Sequence, residues 1–274
     1  MVDTSEHDRQ VGDQGKIGSV QISTVSQVSR RMSMLLWGPP GGGKTTLACT
    51  APGKKLLVNF DPDGYGGLGD RDDVLIYDTV KEPDSILESL RTPTMLTNYV
   101  KDNGVKTVIL DSTTTMSERG LAYGVTQIRG ATIDAPTLQG YGKRNTIVLD
   151  IVSKFLVLTA KLDCHIVVVA HEGATEKDEQ TGALFVSLLL GGALPSLVPI
   201  KFSEVWHVED TGKDRRITVR SSRSRKPMKS RMFMTNDKAD FPWKYNPVTN
   251  IGTGISDWYD AWSVNNFNKL KLPV

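Results

Sequence analysis

One run of residues constrains this chain more than any other: Gly38-Pro39-Pro40-Gly41-Gly42-Gly43-Lys44-Thr45-Thr46, entered from the apolar stretch Met32-Ser33-Met34-Leu35-Leu36-Trp37. It fits G-x-x-x-x-G-K-[ST]. Glycines at that spacing admit backbone conformations closed to other residues, so several N–H groups turn inward onto phosphate oxygens. Such a loop needs a strand before it and a helix after it. Met32–Trp37 reads as the strand, and Thr45-Thr46-Leu47-Ala48-Cys49 as the opening of the helix, whose positive dipole end favours an anion. In this arrangement Lys44 reaches the β- and γ-phosphates of ATP and the Thr45 hydroxyl ligates Mg2+. The nucleotide site is therefore expected at Gly38, Pro39, Pro40, Gly41, Gly42, Gly43, Lys44, Thr45 and Thr46.

The rest of the chain supplies an α/β frame for that loop. Short apolar runs at 55–60, 74–77, 107–111 and 166–170 alternate with helical patterns. Pro83-Asp84 opens one helical segment that runs towards Asn103-Gly104 and is interrupted at Pro93. A second covers 112–127. A third, 143–162, is the clearest: Ile147, Ile151, Phe155, Leu158 and Leu162 recur at steps of four and three and line one face. Residues 129–140 are turn-rich. Strands apolar on both faces, alternating with helices, predict a mostly parallel twisted sheet with helices on both faces. After residue 200 the pattern changes to short strand candidates at 202–208, 216–220 and 231–234, which predict a C-terminal antiparallel extension. The expected organisation is a lead-in at 1–28 with at most one weak strand (Val20, Ile22, Val25), a core at 29–240, and an aromatic-rich tail at 241–274 that packs on the core or on a neighbour. Trp258, Tyr259 and Trp262 in that tail lie at steps suited to one helical face.

Several acids and one histidine fall where such a sheet opens onto its ligand. Asp111 closes an apolar strand, the position of the acid that holds Mg2+ beside Thr45; the competing reading is a strand-end Asp capping the next helix. Hydrolysis also needs a group that orients or deprotonates water. Asp63 is the first candidate and Asp61 the second, both just past the strand that follows the loop's helix; Asp61-Pro62-Asp63-Gly64 also reads simply as a good turn. His171 ends another central strand, where it would meet the γ-phosphate or the water, with Glu172 as the adjacent alternative.

Composition narrows the setting. The chain has 274 residues, 39% hydrophobic and 23% charged, with two cysteines, Cys49 and Cys164, in no metal-ligand spacing. That argues against a disulfide scaffold and a zinc site, and favours a reducing compartment. Neither a secretory leader pattern nor an apolar run of about 18 residues occurs, so a cytoplasmic protein that spans no membrane is expected. Net charge is only +2, yet Lys213, Arg215, Arg216, Arg220, Arg223, Arg225, Lys226, Lys229 and Arg231 crowd one stretch against the single acid Asp214. Such clusters bind polyphosphate backbones, or else form a solvated hairpin.

Taken together, residues 35–48 (Leu-Leu-Trp-Gly-Pro-Pro-Gly-Gly-Gly-Lys-Thr-Thr-Leu-Ala), 108–112 (Val-Ile-Leu-Asp-Ser), 140–142 (Gly-Tyr-Gly), 167–172 (Val-Val-Val-Ala-His-Glu) and 229–231 (Lys-Ser-Arg) resemble the RecA-like P-loop NTPases. The resemblance is closest to the small phage ATP-binding proteins that are stripped-down recombinase cores active in recombination and single-strand annealing. It implies a catalytic acid at Asp63, where the family usually has Glu, and a γ-phosphate sensor at His171. It further implies a DNA-contacting loop over 173–199 and a basic pair, Lys229 and Arg231, offered to the ATP of a neighbouring subunit. An ATPase completed in a ring or filament on single-stranded DNA, in the host cytoplasm if phage-encoded, is the leading expectation. The loop 173–199 holds only Phe185 as a stacking aromatic and serves equally as a subunit contact. A nucleotide-gated scaffold or loader with negligible hydrolysis, and a helicase- or packaging-type motor, are the competing classes.

Overall fold

Successive residues of Ser33–Gly38 (β1) bury on opposite sides: Leu35 and Trp37 enter one hydrophobic cluster, Met34 and Leu36 the other. That alternation places β1 inside a sheet with both faces covered. The structure is a computed structural model that describes residues 16–17, 20–24, 30–177, 179, 182–222, 224–225, 227–235 and 238–273. Residues 1–31 form one unit, in which Lys16–Ile17 pairs antiparallel with Val20–Gln21. Val25 lies outside the described residues. Residues 32–274 form the second unit, which holds everything that follows.

After β1 come Lys44–Ala48 (α1), Lys54–Asn59 (β2), Val74–Asp78 (β3), Ile86–Leu90 (α2), Thr94–Asp102 (α3), Val105–Asp111 (β4), Thr113–Thr126 (α4), Leu138–Lys161 (α5) and His165–His171 (β5). Glu204–Asp210 (β6), Arg215–Thr218 (β7), Asp240–Trp243 (β8) and Ile255–Val264 (α6) complete the main elements. Eight strands form one sheet in the order β8-β7-β6-β1-β5-β4-β2-β3. From β6 through β1 to β3 every pair is parallel; β7 and β8 add antiparallel. The expected α/β class, a mostly parallel sheet with a C-terminal antiparallel extension, is what the strands form. Helices α2 to α5 cover the face of Leu35 and Trp37, and α1 and α6 the face of Met34 and Leu36.

Local signals explain most boundaries. Pro93 separates α2 from α3. Ser112 caps α4 by accepting from the Thr115 amide. Helix α5 starts five residues before its expected 143, because Thr137 caps it through the Gly140 amide. Its Gly140 then packs on Val125 of α4. The strand expected over 231–234 is reduced to a single parallel bridge between Phe233 and Leu270. Met232 and Phe233 are buried there, and the pairing extends no further because the Arg231 and Met232 amides bond the Glu204 carboxylate. One edge of the sheet is β8, and an edge strand is where Pro242 costs no internal hydrogen bond. Trp258 of α6 is buried against Trp206, Phe233 and Phe241, and Cys49 and Cys164 are buried and unpaired. Among the described residues no helix is long and apolar enough to cross a membrane.

Candidate functional site at the phosphate edge of the sheet

The loop after β1 is shaped by close backbone approach. Gly38 has φ +152°, and a Cβ there would lie 2.0 Å from the Val208 carbonyl oxygen of β6. Gly43, at φ +89°, turns the chain into α1 in a conformation that only glycine takes without strain. Lys44 is buried, and its Nζ donates to the Pro39 carbonyl at 2.7 Å, so the ammonium lies against the loop itself. Burial lowers its pKa; the fields of Asp111, Asp61 and Glu172 oppose that shift. Helix α1 is only five residues long, so its dipole is small, and the loop amides and Lys44 carry most of the positive field.

Asp111 ends β4 at 2% exposure and accepts from the Thr45 hydroxyl at 2.5 Å. Burial pushes its pKa up to about 6, against the Thr45 hydrogen bond and the Lys44 charge. A hydroxyl and a carboxylate oxygen are hard donors of the kind Mg2+ takes. Among the described residues no three His, Cys, Asp or Glu side chains gather to hold a metal alone. With two protein oxygens on offer, the Thr45–Asp111 pair suits an ion that takes the rest of its shell from phosphate and water oxygens, as Mg2+ does.

Beyond Asp111, of the two acids after β2 it is Asp61, the second candidate, that the structure brings into the cluster. Asp61 Oδ1 accepts from Ser112 Oγ at 2.9 Å, and Oδ2 faces His171 Nε2 at 3.3 Å. Burial pushes the Asp61 pKa up, but hydrogen bonds from His171, Thr115 and Ser112 outweigh it and the net shift is downward. Asp63 is exposed, at φ +53°, and makes no side-chain bond to this cluster. The cause is the turn itself: the Gly64 amide bonds the Asp61 carbonyl at 3.1 Å and the Gly66 amide bonds that of Asp63 at 2.9 Å, which carries Asp63 outward.

His171 ends β5, with its amide on Thr114 Oγ1 at 2.9 Å. The amide of Glu172 reaches the Gly38 carbonyl at 2.9 Å, and its Oε2 lies 2.5 Å from Nε2 of His207 on β6. His207 is fully buried, and burial lowers its pKa against the pull of Glu172. Nothing in the sequence singled out His207, a lone histidine inside an apolar strand. Its relevance comes from β6 lying beside β1, with His207 in register with Trp37.

Lys229 and Arg231 are not part of this cluster. Both are exposed, and their backbone pairs with Val205 and Glu204 at the start of β6. Val205 is in register with Leu35, three residues before Gly38, which is about 10 Å along the strand. The basic stretch is also less bare than its sequence: Arg216 pairs with Asp214 and Asp240, and Arg225 with Glu209 at 2.5 Å. Arg223 and Lys226 lie outside the described residues. In the segment 173–199, Leu188, Leu190, Leu194 and Val198 are buried in the core, so that part is packing surface.

A protein-family model described as an AAA domain matches residues 30–238. Among solved structures 196 chains match. One, described as the crystal structure of the RadB recombinase, is 11% identical, with 79% of this chain and 88% of that chain covered and a TM-score of 0.45. No match is found among the curated proteins.

Proposed function

This chain belongs to the AAA domain family, and from that premise we propose that it binds Mg·ATP at Gly38–Thr46 and hydrolyses it. The observation that carries the reading is the Thr45–Asp111 contact of 2.5 Å, formed beside a buried Lys44 where β1 turns into α1. The loop amides and Lys44 hold the phosphates, and Thr45 and Asp111 hold Mg2+. When bound, the ion neutralises charge on the β- and γ-oxygens. Asp61 and Glu172 are the acids placed to handle the attacking water, and His171 stands beside Asp61.

Lys229 and Arg231 act in trans in this proposal. They are exposed, at the far end of the sheet from their own loop, and so are available to a neighbouring copy. A cation supplied that way is worth 10³–10⁵ in rate, by order of magnitude. The wider role is an oligomeric ATPase on single-stranded DNA in recombination or annealing. Its support is the exposed Lys213 in the basic stretch 213–231 and the motif resemblance set out in the sequence.

ATP turnover measured with and without single-stranded DNA, alongside oligomer size, tests both parts. Lys44→Ala is expected to abolish binding and turnover, and Arg231→Ala to abolish turnover alone. Absence of Mg·ATP binding at millimolar concentration would overturn the nucleotide reading. Identical turnover with and without DNA at low salt would overturn the DNA reading.

A further inference from the structure

Besides Asp111, two acids stand at the phosphate edge, and their bonding differs. Asp61 has both oxygens engaged, Oδ1 by Ser112 and Oδ2 by His171. Glu172 accepts one bond, from His207 to Oε2, and among the described residues Oε1 accepts none. Its backbone is tied to the first residue of the phosphate loop through the Gly38 carbonyl.

The ring that holds Glu172 cannot drift. His207 is 0% exposed and meets Trp37 edge-on, with centroids 4.6 Å apart at 71°. Trp37 flanks it on β1 and Thr218 on β7. With Nε2–H donating to the carboxylate, Nδ1 is the bare nitrogen, and it is buried without a partner. A donating, immobile imidazole fixes one carboxylate oxygen and leaves the other with its lone pairs for a ligand.

We infer that Glu172 is the acid that takes the proton of the attacking water, and that His207 is the positioning residue that aims it. In that step the water oxygen bonds to the γ-phosphorus. The bond from that phosphorus to the β–γ bridging oxygen breaks, and its electron pair leaves on ADP. The water proton passes to Glu172 Oε1 and then to solvent. The inference rests on the hydrolysis proposed above, and it assigns the step to a residue at the end of β5 in place of the acid after β2.

The test is steady-state turnover and Mg·ATP binding for wild type, Glu172→Gln, Asp61→Asn, His207→Leu, His207→Gln and the double variant Glu172→Gln/His207→Leu. Glu172→Gln is expected to lower kcat at least 100-fold, the low end of general-base effects, with Mg·ATP affinity changed less than threefold. His207→Leu is expected to lower kcat towards the same level. His207→Gln, whose amide can still donate to Oε2, should recover most of it. The double variant should be no slower than Glu172→Gln alone, because the ring acts only through that carboxylate. If Glu172→Gln keeps kcat within threefold of wild type while Asp61→Asn abolishes it, the assignment is overturned and hydrolysis stands. If the wild type binds no Mg·ATP or never turns it over, both fall. Retained Mg·ATP binding certifies folding of each variant, and Glu172→Gln alone decides the assignment if His207→Leu does not fold.

Discussion

Glu204 offers the most quantitative check on how this fold is held. It is 0% exposed, and four donors converge on it: Trp206 Nε1 at 2.8 Å and Ser230 Oγ at 2.6 Å on Oε2, and the amides of Arg231 at 2.7 Å and Met232 at 3.1 Å on Oε1. Burial pushes its pKa up, and those bonds oppose the shift. Glu204→Ala strands the Trp206 indole and the Met232 amide, both in buried residues, at about 1–3 kcal/mol each. Ser230 and Arg231 rehydrate, and relief of the buried charge offsets part of the lost packing, so the net cost is about 4 kcal/mol. That is a large share of the 5–15 kcal/mol typical of a folded protein. Glu204→Gln keeps the Oε1 acceptor but turns an NH2 group towards the indole N–H. The Ser230 hydroxyl can rotate to accept and the indole cannot, so the cost is about 2 kcal/mol. Urea unfolding followed by tryptophan fluorescence reads both. Mg·ATP affinity should be unchanged, since Glu204 is in register with Met34 at the far end of the sheet. An alanine variant that loses less than 1 kcal/mol, or a glutamine variant as unstable as alanine, would refute the reasoning.

Three further outcomes are expected. Gly38→Ala forces a Cβ to 2.0 Å from the Val208 oxygen, so it should cost on the order of 3 kcal/mol and remove Mg·ATP-dependent thermal stabilisation, read in one melting experiment. Trp258→Ala should cost about 3–5 kcal/mol in urea unfolding, because it empties the cluster of Trp206, Phe233 and Phe241. His165 accepts the Met32 amide at 3.0 Å, and burial lowers its pKa to about 4. Its folded value lies below the unfolded 6.5, so its contribution is complete above pH 6.5. It is lost as pH falls towards 4, by about 3 kcal/mol in all. His165→Gln should flatten the stability–pH curve in that window; an unchanged slope would count against the assignment.

The expected acids and cations were legible to different depths. Asp111 came forward because a carboxylate closing an apolar strand is a local pattern, and it does meet Thr45. Asp61 and Asp63 look alike in the sequence, and only the turn's own hydrogen bonds decide which of them faces inward. The stretch 213–231 reads as bare charge until Asp240 of β8 and Glu209 of β6 are brought alongside Arg216 and Arg225.

What this chain's sequence determined by itself is whatever short-range pattern can encode: glycines that let a loop wrap phosphate, apolar runs long enough for buried strands, Pro93 dividing two helices. What only tertiary structure decided is who stands opposite whom. His171 and Asp61 are 110 residues apart, and they meet because the sheet sets β5 and β2 on either side of β4; His207 and Glu172 are 35 apart, and they meet because it sets β6 and β5 on either side of β1. Strand order and register are collective results of packing two faces at once. No local run of residues carries them.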